Sequence, residues 1–189
     1  CGEGYYIANI ADFLTTKHKV ESEPKILAGG IDISKPAIQK AAKKYKSTKT
    51  QTFNFAVASC FDLPLSSNSQ NAILQIFAPA KDSEMLRVLE KKGIWIRVNP
   101  ANEHLFELKS MVYDKPVKHE PDAIIPIGFD LLSQHKLRFD MTFTNVADRQ
   151  NLLLMTPFYW TISETKKQKL LLNLTATKAH FDIQVLQKQ

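Results

Sequence analysis

Two short stretches near the start of the chain combine residue types and spacing that can do chemistry. The first is Cys1-Gly2-Glu3-Gly4-Tyr5-Tyr6, a Gly-x-Gly turn opening onto a helical pattern. Glycine carries no Cβ, so a ligand can approach the backbone closely at such a turn. The helix that follows offers N–H groups with no partner inside the helix. The second is Asp32, which closes the apolar run Lys25–Ile31. A carboxylate at a strand end can accept both hydroxyls of a ribose. Together they point to a nucleoside site. A dinucleotide fingerprint would want a third glycine where Ile7 stands, which argues against NAD.

Fewer signals bear on a reaction. Asp82, Glu107 and His104 are candidate bases near the expected cleft, and none declares itself; the catalytic residue is unknown. A lone histidine at a helix start is ordinarily a cap or a surface residue. Glu107 and Lys109 are two apart and do not face each other on a helix. Phe158, Tyr159 and Trp160 could stack on an extruded base or plug the core, and the plug is the simpler reading. Lys166, Lys167 and Lys169 read most simply as one solvated helix face, with phosphate contact as the other option.

The elements that must position these residues alternate. Helix is expected over 5–13, with Tyr6, Ile10, Phe13 and Leu14 at helical spacing. A polar break spans 15–24. Strand follows at 25–31, then a helix capped by Ser34 with Pro36 in its first turn. Strands are expected at 52–58, 72–77 and 94–98. A helix capped by Asp82 or Ser83 reaches about Leu89, with Lys91-Lys92-Gly93 as its stop signal. This alternation predicts an α/β fold, a doubly wound, mostly parallel sheet with ligands at the carboxyl ends of the strands. Beyond Pro100 the spacing predicts helices at 103–111, 145–155 and 163–172, strands at 134–144 and 179–186, and an aromatic loop at 156–160. A helix and the two late, antiparallel strands would close the sheet. The segment 113–122 is rich in proline and charge, so 101–130 could hold a lid or insertion within one domain, 1–189.

With 189 residues, a single domain is expected. The formal charge of +6 suits a polyanionic partner without demonstrating one. Cys1 and Cys60 lie outside any zinc spacing, so no metal is expected, and a reduced, cytoplasmic setting is the default. No apolar run approaches a membrane span.

Several segments carry a resemblance. Cys1–Tyr6, Gly30-Ile31-Asp32-Ile33-Ser34-Lys35, and Val57-Ala58-Ser59 with Leu63-Pro64 resemble class I S-adenosylmethionine-dependent methyltransferases. Ile76-Phe77-Ala78-Pro79-Ala80-Lys81, Pro100 with His104-Leu105 and Glu107-Leu108-Lys109, Tyr113, Met155-Thr156-Pro157-Phe158 with Trp160, and Phe181-Asp182-Ile183 are similar to bacterial 23S rRNA guanine-N1 methyltransferases of the RlmA type. The resemblance implies that S-adenosylmethionine is held by Gly2, Glu3, Gly4, Asp32, Ile33, Ser59, Cys60, Phe77 and His104. Gly2 and Glu3 would line its methionine end, Asp32 would take the ribose, and Ser59-Cys60 would sit beside the adenine. Many relatives have an acidic residue where Ser59 stands. Pro79, Phe158 and Trp160 would meet the substrate, 23S rRNA. Members also carry an N-terminal zinc module for RNA and a helical segment of the cofactor pocket, and a Gly-x-Gly turn needs a central strand before it; the zinc module, the helical segment and that strand are expected to be missing from this chain. A homodimer stays open, as do two rival functions: methylation of a small molecule or protein, and non-catalytic binding of RNA or a nucleoside.

Overall fold

The computed structural model describes residues 1–17, 26–120 and 124–189. Residues 18–24 of the polar break, Lys25 at the expected strand start, and Pro121-Asp122 lie outside the described residues. Two compact units are formed. One comprises Cys1–Arg97, Ile125–Leu131 and Leu186–Gln189; the other comprises Val98–Ile124 and Leu132–Val185.

The first unit begins with α1 (Tyr5–Lys17), β1 (Ile26–Asp32), α2 (Lys35–Lys44) and β2 (Gln51–Val57). The strands β1 and β2 are parallel, with Ile26 opposite Gln51 and Asp32 opposite Val57, so their carboxyl ends share one edge. The sequence signals for α2 act as read. Ser34 Oγ accepts from the Ala37 N–H at 3.4 Å, Pro36 sits in the first turn, and Ile38 and Ala41 are buried. The face of α1 differs from the reading. Ala8 and Ala11 are its buried residues, while Tyr6, Ile10, Phe13 and Leu14 are exposed. Only the small side chains allow the helix axis to lie close to β1.

Next come β3 (Gln70–Ile76), α3 (Asp82–Val88) and β4 (Leu89–Pro100). Two cap expectations are corrected here. The N-cap of α3 is Lys81, with no side-chain cap bond from Asp82 or Ser83. Lys91-Lys92-Gly93 does not stop the helix, because α3 ends at Val88 and those residues already belong to β4. Lys92 takes a positive φ of 66° within the strand. Leu89 is fully buried with Val88, Met85, Trp95, Phe129, Leu63 and Leu186, and burial of that apolar cluster outweighs the local stop signal.

The second unit is built on α4 (Phe106–Val112), α5 (Val146–Leu154), α6 (Phe158–Thr161) and α7 (Glu164–Asn173). The expected aromatic loop is therefore partly a short helix. Leu105, Leu108, Val112, Leu153, Leu170 and Leu174 form its buried core. The segment after α4 is tied down: Lys109 Nζ donates to Val117 O at 3.3 Å, His119 N to Asn102 O at 3.1 Å, and Lys118 pairs with Glu103 at 3.1 Å.

The remaining strands are β5 (Phe129–Thr142) and β6 (Ala176–Lys188), in a sheet of order β3-β4-β6-β5. Asn71 reaches Glu90 and Gln75 reaches Trp95, so β3 and β4 advance together. The late pair is antiparallel, as read: Gln189 N donates to Gly128 O at 3.0 Å and Phe143 N to Thr175 O at 2.9 Å. The α/β class with parallel pairs joined through helices is the architecture expected.

Candidate functional site

Gly2 and Asp32, thirty residues apart in sequence, are in direct contact. The Gly2 N–H donates to Asp32 Oδ2 at 2.7 Å, and the Cys1 nitrogen donates to the same oxygen at 3.0 Å and to Ile31 O at 2.7 Å. Asp32 Oδ1 accepts from the Ser34 N–H at 2.9 Å. A carboxylate has about four lone-pair sites, so Oδ1 retains acceptor capacity for a ligand hydroxyl. Burial pushes the Asp32 pKa upward, but the Ser34 and Gly2 amides and the Cys1 nitrogen outweigh it and hold the group at about 2. Asp32 is therefore anionic at any working pH.

The turn that brings Gly2 there depends on glycine twice. Gly2 has a φ of +54°, and a Cβ built on it would meet no atom within 4 Å, which leaves open space beside the backbone. Gly30 lies opposite Phe55 in the parallel register. A Cβ there would stand 2.6 Å from the Phe55 ring and 2.8 Å from Cys1 Sγ. The opening turn thus packs onto β1 only because residue 30 has no side chain.

The other expected site residues of this unit fall at strand ends. Ile33 directly follows Asp32 and is 81% exposed. The loop after β2 is tied to β1 by the Ala58 N–H, which donates to Asp32 O at 3.1 Å and so holds Ser59-Cys60 next to Asp32-Ile33 in the chain path. Ser59 Oγ accepts from the Phe61 N–H at 3.1 Å, so the hydroxyl shapes its own loop. Glu3 is exposed and pairs with Lys40 at 2.8 Å. Further along, Leu63 N–H donates to Glu84 Oε2 at 2.8 Å, and Arg87 donates to Leu63 O and Leu65 O. The Arg87 side chain and the Leu63 amide hold Glu84 at about 2.

Phe77 and Pro79 follow β3. Phe77 adopts a φ of +47°, unusual for an aromatic residue. Sequence reasoning missed what holds this loop. Buried Trp95 donates through Nε1 to Gln75 Oε1 at 3.0 Å, and Gln75 Nε2 donates to Ala78 O at 2.5 Å. A buried tryptophan followed by a glutamine-anchored loop has no local sequence signature; only the pairing of β3 with β4 brings them together. Ile31 and Ala80 both pack on the buried cluster around Met85.

A family model described as a methyltransferase domain matches residues 1–151. The chain belongs to the class I S-adenosylmethionine-dependent methyltransferases. It is 27% identical to the putative 23S rRNA (guanine-N(1)-)-methyltransferase YxjB of Bacillus subtilis, over 98% of this chain and 63% of that protein. It is 31% identical to the 23S rRNA (guanine(748)-N(1))-methyltransferase of Streptomyces fradiae, over 84% of this chain and 53% of that one. The chain thus spans between half and two thirds of the length of these relatives. Among solved structures, it resembles YcgJ of Bacillus subtilis (TM-score 0.59, 10% identity, 96% of this chain and 99% of that one). It also resembles a SAM-dependent methyltransferase of Methanosarcina mazei (TM-score 0.56, 12% identity, 100% and 89%). These two likenesses speak for the fold. S-adenosylmethionine is the methyl donor of the class.

In the second unit, His104 precedes α4. Its Nδ1 accepts from the His180 N–H at 3.2 Å, and its ring lies 5.1 Å from that of Phe181 and 6.4 Å from that of His119. Burial, aided by the neighbouring His119, lowers its pKa to about 4, so it is neutral at pH 7. Glu107 accepts three bonds: Lys178 Nζ reaches Oε1 at 2.6 Å, and Thr177 Oγ1 and Lys178 N–H reach Oε2 at 3.0 and 3.1 Å. Burial raises its pKa, but these donors dominate and bring it to about 2. The three aromatics divide between the two readings. Phe158 packs edge-on against Tyr113 at 5.6 Å and, with Tyr159, against the apolar core, whereas Trp160 is 78% exposed. Among the described residues, no helix is long and apolar enough to cross a membrane.

Proposed function

We propose that the protein to which this domain belongs transfers a methyl group from S-adenosylmethionine to N1 of a guanine in 23S rRNA. The names of both curated relatives support that acceptor. The observation that carries the donor site is the closure of the Gly2 amide onto the Asp32 carboxylate at 2.7 Å.

The residues fit the donor. Asp32 is ionised and keeps a lone pair on Oδ1 for a ribose hydroxyl. Ile33 offers an uncovered apolar surface to a purine face. The Ser59 hydroxyl accepts from Phe61 N–H and keeps its own O–H, so the adenine edge would meet that hydroxyl, the backbone of Ser59-Cys60 and the Cys60 side chain. The open space at Gly2 and the turn through Gly4 would take the methionine end. Glu3 would have to leave Lys40 to reach an ammonium group there. Phe77 and Pro79 would border the acceptor base, on a loop whose shape Trp95 and Gln75 set.

Bound S-adenosylmethionine supplies a methyl group already activated on sulfur, so alignment of the acceptor provides most of the rate. A proton must also leave guanine N1. Glu107 is unsuited to take it, since Lys178 and Thr177 hold its pKa at about 2 and leave it a weak base. Asp82, at the start of α3, carries an exposed carboxylate and stands five residues beyond Phe77, which makes it the better of the two carboxylate candidates.

The test is transfer of labelled methyl to protein-free 23S rRNA, followed by nucleoside mass spectrometry. Label in 1-methylguanosine is the expected result. Label in small acceptors only, or in another nucleoside, would replace the proposed acceptor.

A further inference from the structure

The chain's whole net charge sits in one stretch. Between Asp32 and Asp62 there is no acidic residue and there are six lysines: Lys35, Lys40, Lys43, Lys44, Lys46 and Lys49. Elsewhere, the other 19 Lys and Arg are matched by 19 Asp and Glu, so these six account for the +6. All six are exposed. Among the described residues their only carboxylate partner is Glu3, bound to Lys40.

We infer that α2 and the α2–β2 loop form a docking surface for the phosphate backbone of the RNA substrate. This rests on the rRNA reading above. Three observations favour it. Lys40, Lys43 and Lys44 share the face of α2 opposite Ile38 and Ala41, and Lys46 and Lys49 continue the charge past the helix end. Stabilisation of the helix C-terminus explains Lys43 and Lys44 in the last turn and Lys46, whose Nζ donates to Ala42 O at 2.9 Å, but not Lys49 further on. Ser47, Thr48 and Thr50 interleave with them, hydroxyls of the kind that accompany lysine at phosphates. A membrane surface would need an apolar face to insert, and the apolar face of α2 is already buried. The helix is about 14 Å long at 1.5 Å per residue, enough to follow a few nucleotides.

The test combines Lys43→Gln, Lys44→Gln, Lys46→Gln and Lys49→Gln in the complete protein, leaving Lys40 and its Glu3 pair intact. Binding to a 23S rRNA fragment is measured across salt concentrations, alongside calorimetry with S-adenosylmethionine and sedimentation with phosphatidylserine vesicles. The expected result is at least a tenfold weaker RNA affinity near 0.1 M salt. The slope of log K against log salt should be shallower by about 3 to 4, since four phosphate contacts are lost and each removes roughly 0.7–0.9. S-adenosylmethionine affinity should stay within twofold. An unchanged slope and affinity, in a protein whose unmutated form methylates rRNA, overturns the surface alone. Loss of vesicle binding with RNA binding intact also overturns it, in favour of a membrane. If the unmutated protein neither binds nor methylates rRNA, the acceptor assignment falls and takes the surface with it.

Discussion

Asp32 and Gly30 are the residues on which the opening turn depends, and they fail differently when changed. Gly30→Ala places a methyl group into the Phe55 ring and Cys1 Sγ. Overpacking of this kind costs about 1–3 kcal/mol, to be read as a lower urea midpoint without change of slope. His104 gives a pH signature of its own. Its folded pKa of about 4 lies below the ordinary histidine value of about 6.5, so the unfolded chain binds more protons between those limits. Stability should therefore fall as pH drops from about 6.5 to 4, and His104→Gln, which can still accept from the His180 N–H, should flatten that limb. A denaturant series at several pH values checks it. At this scale the sequence was informative where chemistry is local. A Gly-x-Gly turn and a carboxylate at a strand end can be read from residue order. The fit of Gly30 under Phe55 could not be, because it depends on the register between two strands.

At the scale of elements, the loop after β3 is the part whose control was invisible beforehand. Trp95 holds Gln75, and Gln75 reaches the Ala78 carbonyl beside Phe77, which adopts a left-handed conformation. Gln75→Leu removes both bonds. It should cost about 1–2 kcal/mol of stability, as lost hydrogen bonds do, and lower methyl transfer to rRNA about tenfold. S-adenosylmethionine affinity should move less than twofold, since Asp32 is untouched. Equal losses in binding and turnover would assign Gln75 a purely structural role. The misread elements share a cause. Lys91-Lys92-Gly93 satisfies the local rule for ending a helix, and the large residues of α1 satisfy the local rule for a buried stripe. In both cases burial decided otherwise: Leu89 went into the core as a strand residue, and two alanines took the helix contact.

For the molecule as a whole, alternation of strands and helices was legible, while strand order was not, since pairing partners leave no mark on the hydrophobic pattern. The net charge was legible as a number; its confinement to one helix and loop gains meaning only once α2 is seen to bury its apolar side. The methyltransferase family follows from sequence and fold together, and the proposed donor site rests on two residues held in contact. Its most direct test is calorimetric titration of the complete protein with S-adenosylmethionine, unmutated and as Asp32→Asn, between pH 5 and 8. Hydrogen bonds to a charged group contribute about 1.5–3 kcal/mol, so the substitution should weaken binding by roughly 10- to 100-fold. The unmutated affinity should not vary over that range on account of Asp32, whose carboxylate the Ser34 and Gly2 amides hold below its ordinary pKa. Equal affinity of the two proteins, with the fold of both intact, would contradict the assignment of the donor site to the Gly2–Asp32 junction.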